Sequence, residues 1–347
     1  MLNAVYRLVA PRRIEIEFSD IDLRNENVIV RPTYLSICNA DQRYYQGTRG
    51  EEVLKEKLPM ALIHEGIGEV LHDSKGEFKP GELVVMIPNT PEELNEDGQI
   101  IGENYRRTSK FRASGFDGFM QDVVEIRRDR ILRLPPDIDR HVAAFTEIVS
   151  VSVHALSRFD KIAHERRDAV GIWGDGNLGF ITALFFHVMF PDTKLYVFGL
   201  NRDKLSDFSF ADDTFLVNKI PESLKIDHGF ECVGGEGAPK AINQIIDYIN
   251  PEGTISILGV SENPVAINTR MILEKGLRVF GSSRSGRADF MKTIELYKSH
   301  PELVDYLKNI VGAVVKVRTI DDMKRAFELD SQTNFGKTIM EWMHFDK

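Results

Sequence analysis

In "NVIVRPTYLSICNADQRYY" a strand-like run delivers a thiol, Cys38, into a polar turn, and the 347 residues contain only one other cysteine. Such a thiol can ligate a metal as a thiolate, or fill a core as a small apolar side chain, the commoner use of a free cysteine. His64 and Glu65 stand side by side in "ALIHEGIGEV", 26 residues further on, and Glu147 lies in "FTEIVSVSVHAL". Imidazole and carboxylate are the other ligand types that a zinc ion takes. Each has a plainer alternative: a histidine–glutamate pair arises by chance, and Glu147 suits the first turn of a helix as a negative charge.

A second constellation is local. "GIWGDGNLGF" matches G-x-G-x-x-G through Gly174, Gly176 and Gly179, with a strand before it and a helix after it. Gly174 allows the tight turn, Gly176 lets backbone approach a pyrophosphate, and Gly179 lets helix and strand pack closely. The helix would aim its first amides, those of Asn177 and Leu178, at the phosphates. The next strand, "KLYVFG", ends at Gly199 and is followed by Asn201, Arg202 and Lys204. An NAD site usually has an acid at that point for the ribose 2′-hydroxyl, and an acid would repel a 2′-phosphate. Glycine with Arg202 and Lys204 close behind therefore points to NADPH. In the competing reading those two charges are solvated and Asp203 binds the ribose.

These residues need elements to position them. Residues 1–135 alternate short β-rich runs ("RIEIEF", "NVIVRPTYLS", "GIGEVLHD", "ELVVMIPN", "GFMQDVVEI") with turn signals, the pattern of an all-β domain. From 150 to 281 short apolar strands alternate with helical stretches, which implies a parallel sheet covered on both faces. The tail reads as helix, strand, helix. No internal repeat is visible. A net charge of −9 argues against nucleic-acid binding, which needs a basic surface. No apolar run nears the roughly 18 residues of a membrane span, and the first residues lack a signal-peptide core. Two cysteines make no disulfide framework. The expected location is the cytoplasm.

Taken together, Cys38, His-Glu-Gly-x-Gly at 64–68, Glu147 and the glycine loop resemble the zinc-dependent medium-chain dehydrogenase/reductase family over nearly the whole chain. The resemblance implies a GroES-like β-barrel catalytic domain from 1–150 and 280–347, and a Rossmann domain, a doubly wound parallel sheet, from 151–279. It implies one catalytic zinc on Cys38 and His64, with Glu65 and Glu147 at the family's remaining ligand positions. The lobe "NTPEELNEDGQIIGENYRRTSKFRAS", where many members bind a second, structural zinc, has no cysteine. Ala40 stands where alcohol dehydrogenases carry a proton-relaying hydroxyl, while Asp41 keeps the family's acidic neighbour. The proton must then come from zinc-bound water, Tyr44 or a substrate hydroxyl. Cys232 and His154 read as structural. Arg287, with Arg284, either reaches the cofactor pyrophosphate or is solvated.

Longer segments, among them "VYRLVAPRRIEIE", "LPMALIHEGIGEV" and "FECVGGEG", are similar to a narrower group, the bacterial ribulose-5-phosphate reductases (ribitol-5-phosphate dehydrogenases). That likeness implies zinc- and NADPH-dependent reduction of D-ribulose 5-phosphate to D-ribitol 5-phosphate, supplying CDP-ribitol for wall teichoic acid or capsule. Arg43, Lys110 and Arg112 are the candidates for the substrate phosphate, since a guanidinium suits it best. A homodimer is the expected assembly, and a ribitol-5-phosphate cytidylyltransferase the expected partner. Two other readings stand beside this one: a zinc polyol dehydrogenase acting on an unphosphorylated sugar alcohol with NAD(P), and a non-catalytic NADPH-binding scaffold for that cytidylyltransferase.

Overall fold

The structure is a computed structural model that describes residues 1–92, 101–333 and 335–343. The chain divides into two units, Met1–Ser150 with Ser285–Lys347, and Val151–Arg284. Among the described residues no helix is long and apolar enough to cross a membrane.

The first unit is built around strand Val28–Ser36, whose β-branched and apolar residues are mostly buried. It lies inside a seven-stranded sheet, between Glu65–Asp73 and Lys337–Trp342. Leu83–Met86 and Ile131–Arg133 extend one side and Val311–Val317 the other, while Val124–Ile126 also pairs with Val28–Ser36. Pro32 cannot donate to a ladder, and the register with Glu65–Asp73 slips there, between Pro32 and Tyr34. A three-stranded sheet is ordered Arg13–Asp20, Leu2–Ala10, Met60–Ala61. One apolar cluster, including Val28, Val30, Leu35, Phe119, Val315 and Met340, joins the two chain ends in a single core.

The tail forms helix, strand and helix as expected, with Arg287–Ser299, Val311–Val317 and Ile320–Gln332, and a further strand then follows. Lys337–Trp342 runs antiparallel to Val28–Ser36 and parallel to Val311–Val317, with helix Ile320–Gln332 as the crossover. One expectation changes here. The boundary expected at 279/280 moves to 284/285, because Arg278–Gly281 hydrogen-bonds to Ile249–Ile257 as the last strand of the other sheet.

The second unit is one parallel sheet of six strands. Their order is Asp213–Leu216, Lys194–Gly199, Ala169–Trp173, Ile226–Glu231, Ile249–Ile257, Arg278–Gly281. In chain order that is 3-2-1-4-5-6, the dinucleotide-binding arrangement, whose strand order reverses beside the first strand. Ala169–Trp173 is buried along its whole length, as a strand covered on both faces must be.

Candidate metal centre and nucleotide loop

Cys38 lies two residues beyond the end of the central strand and caps helix Asn39–Gln46 from an extended backbone. Three residues on, Asp41 closes a capping box: its Oδ2 accepts the Cys38 N–H at 3.3 Å. The same carboxylate accepts the Ile63 N–H at 3.0 Å and lies 3.1 Å from His64 Nδ1. Ile63 has φ of 70°, a left-handed conformation that a β-branched residue adopts only under constraint. Asp41 thus holds both the strained residue and the ring that follows it. With Nδ1 turned to Asp41, His64 keeps Nε2 for a metal. Burial favours the neutral ring, but Asp41 and Cys38 together outweigh it and hold the His64 pKa well above its ordinary value. Metal binding would release that proton.

Glu65 is fully buried opposite Ser36. Lys337 Nζ donates to Glu65 Oε1 at 3.0 Å and to the Ile37 carbonyl at 2.7 Å. It also lies 2.9 Å from Oε2, which nevertheless receives no aligned hydrogen bond. Lys337 is itself 3% exposed. Burial would lower its pKa, but Glu65 and then Cys38 more than reverse that. A sulfur, a ring nitrogen and a carboxylate oxygen from Cys38, His64 and Glu65 all lie within 4.8 Å of one another, and among the described residues no other such group occurs. Tetrahedral zinc with bonds of 2.0–2.3 Å needs donors about 3.3–3.8 Å apart, so small side-chain rotations suffice. The Cys38 sulfur, the His64 ring nitrogen not turned to Asp41 and the Glu65 carboxylate fit a zinc ion.

Glu147, in the first turn of helix Thr146–Ile162, lies outside that group of three, although His64 and Glu65 are among the charges it feels most. Burial pushes its pKa up to about 7, His64 draws it back, and Glu65 raises it again. Tyr44 is buried in the apolar core, with the Arg49 guanidinium 4.9 Å over its ring. Arg43 is half-buried on the helix that starts after Cys38, and Lys110 is exposed beside Phe111, whose ring centroid is 5.3 Å from that of His64. Arg112 does not fit a phosphate ligand: it donates to the carbonyls of Asp117 (3.1 Å) and Glu125 (2.7 Å), between Phe116 and Phe119. Burial pulls its pKa down to about 10. Part of its lobe, residues 93–100, lies outside the described residues.

In the second unit the glycine loop has the geometry its spacing requires. Gly174 has φ of 134°, and a Cβ on Gly179 would stand 1.9 Å from the Gly174 carbonyl oxygen. Around Gly176, by contrast, nothing lies within 4 Å of an added Cβ, which leaves room for a pyrophosphate. Helix Asn177–Met189 begins there, its first amides including those of Asn177 and Leu178. Gly199 differs from expectation. The space beside it is taken by Asp175, whose Cβ and Oδ2 would each be 2.7 Å from an added Cβ. Asp175 Oδ2 accepts the N–H groups of Leu200 (2.7 Å) and Asn201 (2.8 Å). Asn201 in turn caps the short helix Arg202–Leu205 by accepting from Asp203 and Lys204. Arg202 is exposed and Lys204 half-buried.

Arg287, expected at the cofactor, belongs to the first unit. Its Nη1 donates to the carbonyls of Asp129 (2.7 Å) and Ile131 (3.0 Å), and its N–H donates to Glu103. Arg284 ends the second unit with φ of 58°. Cys232 is buried beside Thr182. The sequence marked Asp41 only as the family's acidic neighbour, without its hold on His64, and gave no role to Lys337 or Asp175. The C-x-x-D spacing of a capping box carried a signal for Asp41; the other two had none.

Residues 24–136 match the alcohol dehydrogenase GroES-like domain, and residues 208–299 the zinc-binding dehydrogenase domain. Ribulose-5-phosphate reductase 1 of Staphylococcus aureus is 54% identical over 343 residues, 99% of this chain and 100% of the relative. The ribulose-5-phosphate reductase of Bacillus spizizenii is 53% identical, over 99% of both chains. A crystal structure of S. aureus TarJ in complex with NADPH superposes with a TM-score of 0.88 at 50% identity, covering 99% of this chain and 100% of that one. The chain belongs to the zinc-binding, GroES-like alcohol dehydrogenases and, within them, to the group of the ribulose-5-phosphate reductases.

Proposed function

We propose that the chain reduces D-ribulose 5-phosphate to D-ribitol 5-phosphate with NADPH, at one zinc ion held by Cys38 and His64, with Glu65 and Glu147 at the remaining ligand positions. The observation that carries this is the pairing of a thiol–imidazole–carboxylate group with 54% identity, over 99% of the chain, to a ribulose-5-phosphate reductase. Zinc supplies a Lewis acid for the C2 ketone and NADPH a hydride. The chain's own residues prepare the site. Asp41 sets the His64 ring through Nδ1, which turns Nε2 towards a metal, and Lys337 holds the Glu65 carboxylate within reach of Cys38 and His64. Gly176 leaves open space in front of the amides that start helix Asn177–Met189, where the pyrophosphate would lie. Arg202 and Lys204 supply charge for a 2′-phosphate. Arg43, five residues beyond Cys38, is the stronger candidate for the substrate phosphate, because Arg112 is committed to backbone carbonyls.

Ribitol 5-phosphate formed here would feed a ribitol-5-phosphate cytidylyltransferase, making CDP-ribitol for wall teichoic acid or capsule, and the enzyme would act as a homodimer. The test is a panel of phosphorylated and unphosphorylated ketoses, each with NADPH and NADH, together with zinc analysis. Ribulose 5-phosphate with NADPH should be the fastest pair, at about one zinc per chain. Equal rates with free ribulose or xylulose would make the enzyme a polyol dehydrogenase. No turnover of any ketose by zinc-loaded protein would favour the scaffold.

A further inference from the structure

The end of the second parallel strand is where this fold places the adenosine ribose, and where a strand-end acid selects a 2′-hydroxyl. Here that position is Gly199, but the site is not without an acid. An aspartate built at 199 would place its carboxylate oxygens about 2.4 Å from its Cβ, by standard bond lengths and angles. Asp175, from the middle of the glycine loop, places Oδ2 2.7 Å from that same point. The negative charge that Gly199 omits has been brought in from another part of the chain.

The carboxylate is also fixed. Oδ2 is held by the two amides of Leu200 and Asn201, and Oδ1 has no hydrogen-bond partner among the described residues. The residue is half-buried, so one acceptor oxygen is presented at the strand end with little freedom to turn away. The turn that it anchors carries Arg202 and Lys204. The two signs of charge therefore meet at one ribose edge: a carboxylate suited to a hydroxyl donor and cations suited to a phosphate.

We propose that Asp175 is a specificity-determining residue, accepting from the cofactor's adenosine ribose while its charge opposes a 2′-phosphate, so that it limits how far the site favours NADPH over NADH. This rests on the reading of the second unit as an NADPH site. Neutralising Asp175 should therefore improve discrimination. Asp175→Asn keeps an oxygen for the two amides and removes the charge; Asp175→Ser removes it with a smaller side chain. Dissociation constants for NADPH and NADH would be read from nicotinamide fluorescence, and those for 2′,5′-ADP and 5′-AMP from calorimetry, on protein with an unchanged melting profile.

For both variants NADPH and 2′,5′-ADP should bind more tightly, NADH and 5′-AMP less tightly. The ratio should move about tenfold towards the phosphorylated ligand, the effect of one charge at a half-exposed site. An unchanged ratio, or a shift towards NADH, overturns the proposal and leaves Asp175 a brace for the turn. Wild-type protein that binds NADH as tightly as NADPH would defeat the NADPH assignment, but the direction of the shift on Asp175→Asn would still decide the role of Asp175.

Discussion

Replacing Lys337 by methionine isolates the buried contact that holds the metal centre together. The lysine and Glu65 are both buried, with Nζ 3.0 Å from Oε1 and 2.9 Å from Oε2, and the lysine also donates to Ile37. A methionine fills nearly the same volume but leaves a buried carboxylate without its counter-charge. Breaking one side of a buried pair in this way costs about 3–5 kcal/mol. Zinc would supply a replacement positive charge, so the loss should be smaller in zinc-loaded protein than in chelator-treated protein. The assay is urea unfolding at neutral pH in a Trp173→Phe background. Trp342, whose Nε1 donates to the Gln121 carbonyl, then reports the first unit alone. Glu65→Gln should also be costly by itself, since it strands the lysine. The double variant should recover much of the loss, giving an interaction energy of about 2 kcal/mol or more. If the two single effects simply add, within about 0.5 kcal/mol, the pair is not what stabilises this site and the reasoning fails.

Asp41→Asn, which weakens the hold on both Ile63 and His64, should lower zinc affinity about 10–100-fold with little change in secondary structure, as measured by competition with a chromogenic chelator. Stability should also depend on pH through His228, whose Nε2 faces the Arg166 carbonyl while Nδ1 accepts the Thr254 N–H. Burial, with His164 nearby, lowers its pKa from 6.5 to about 4, so the unfolded chain binds the proton more readily. The stabilisation is therefore full above pH 6.5 and is lost as pH falls towards 4, by roughly 3 kcal/mol. His228→Asn keeps an acceptor for Thr254, and its urea midpoints should be flat across that window. For the substrate phosphate, Arg43→Ala should cut kcat/KM on ribulose 5-phosphate by about one to two decades while sparing free ribulose. Arg112→Ala should instead destabilise the first unit and affect both ketoses alike, which melting curves and parallel kinetics would separate.

Much of the molecule was legible before its structure. The glycine loop is local: strand, turn and helix are consecutive, and Gly179 answers the Gly174 carbonyl five residues before it. Alternating strands and helices from 150 to 281 imply a parallel sheet because only a crossover connection can return the chain in the same direction. The cysteine, histidine and glutamate could be recognised by type and spacing, since their chemistry does not depend on what surrounds them.

What surrounds them was set by contacts distant in sequence. Lys337 meets Glu65 across 272 residues, from a strand whose place beside Val28–Ser36 no local pattern announced. Arg112 and Arg287 had the charge for phosphate recognition, but folding brought carbonyls of Asp117, Glu125, Asp129 and Ile131 within their reach. Gly199 looked like empty space because a sequence shows the missing side chain and not the neighbour, Asp175, that fills its place. Residue type determines which interactions a group is able to make. Which of them it makes depends on which partners the packed chain places within about 3 Å, because hydrogen bonds weaken steeply beyond that range.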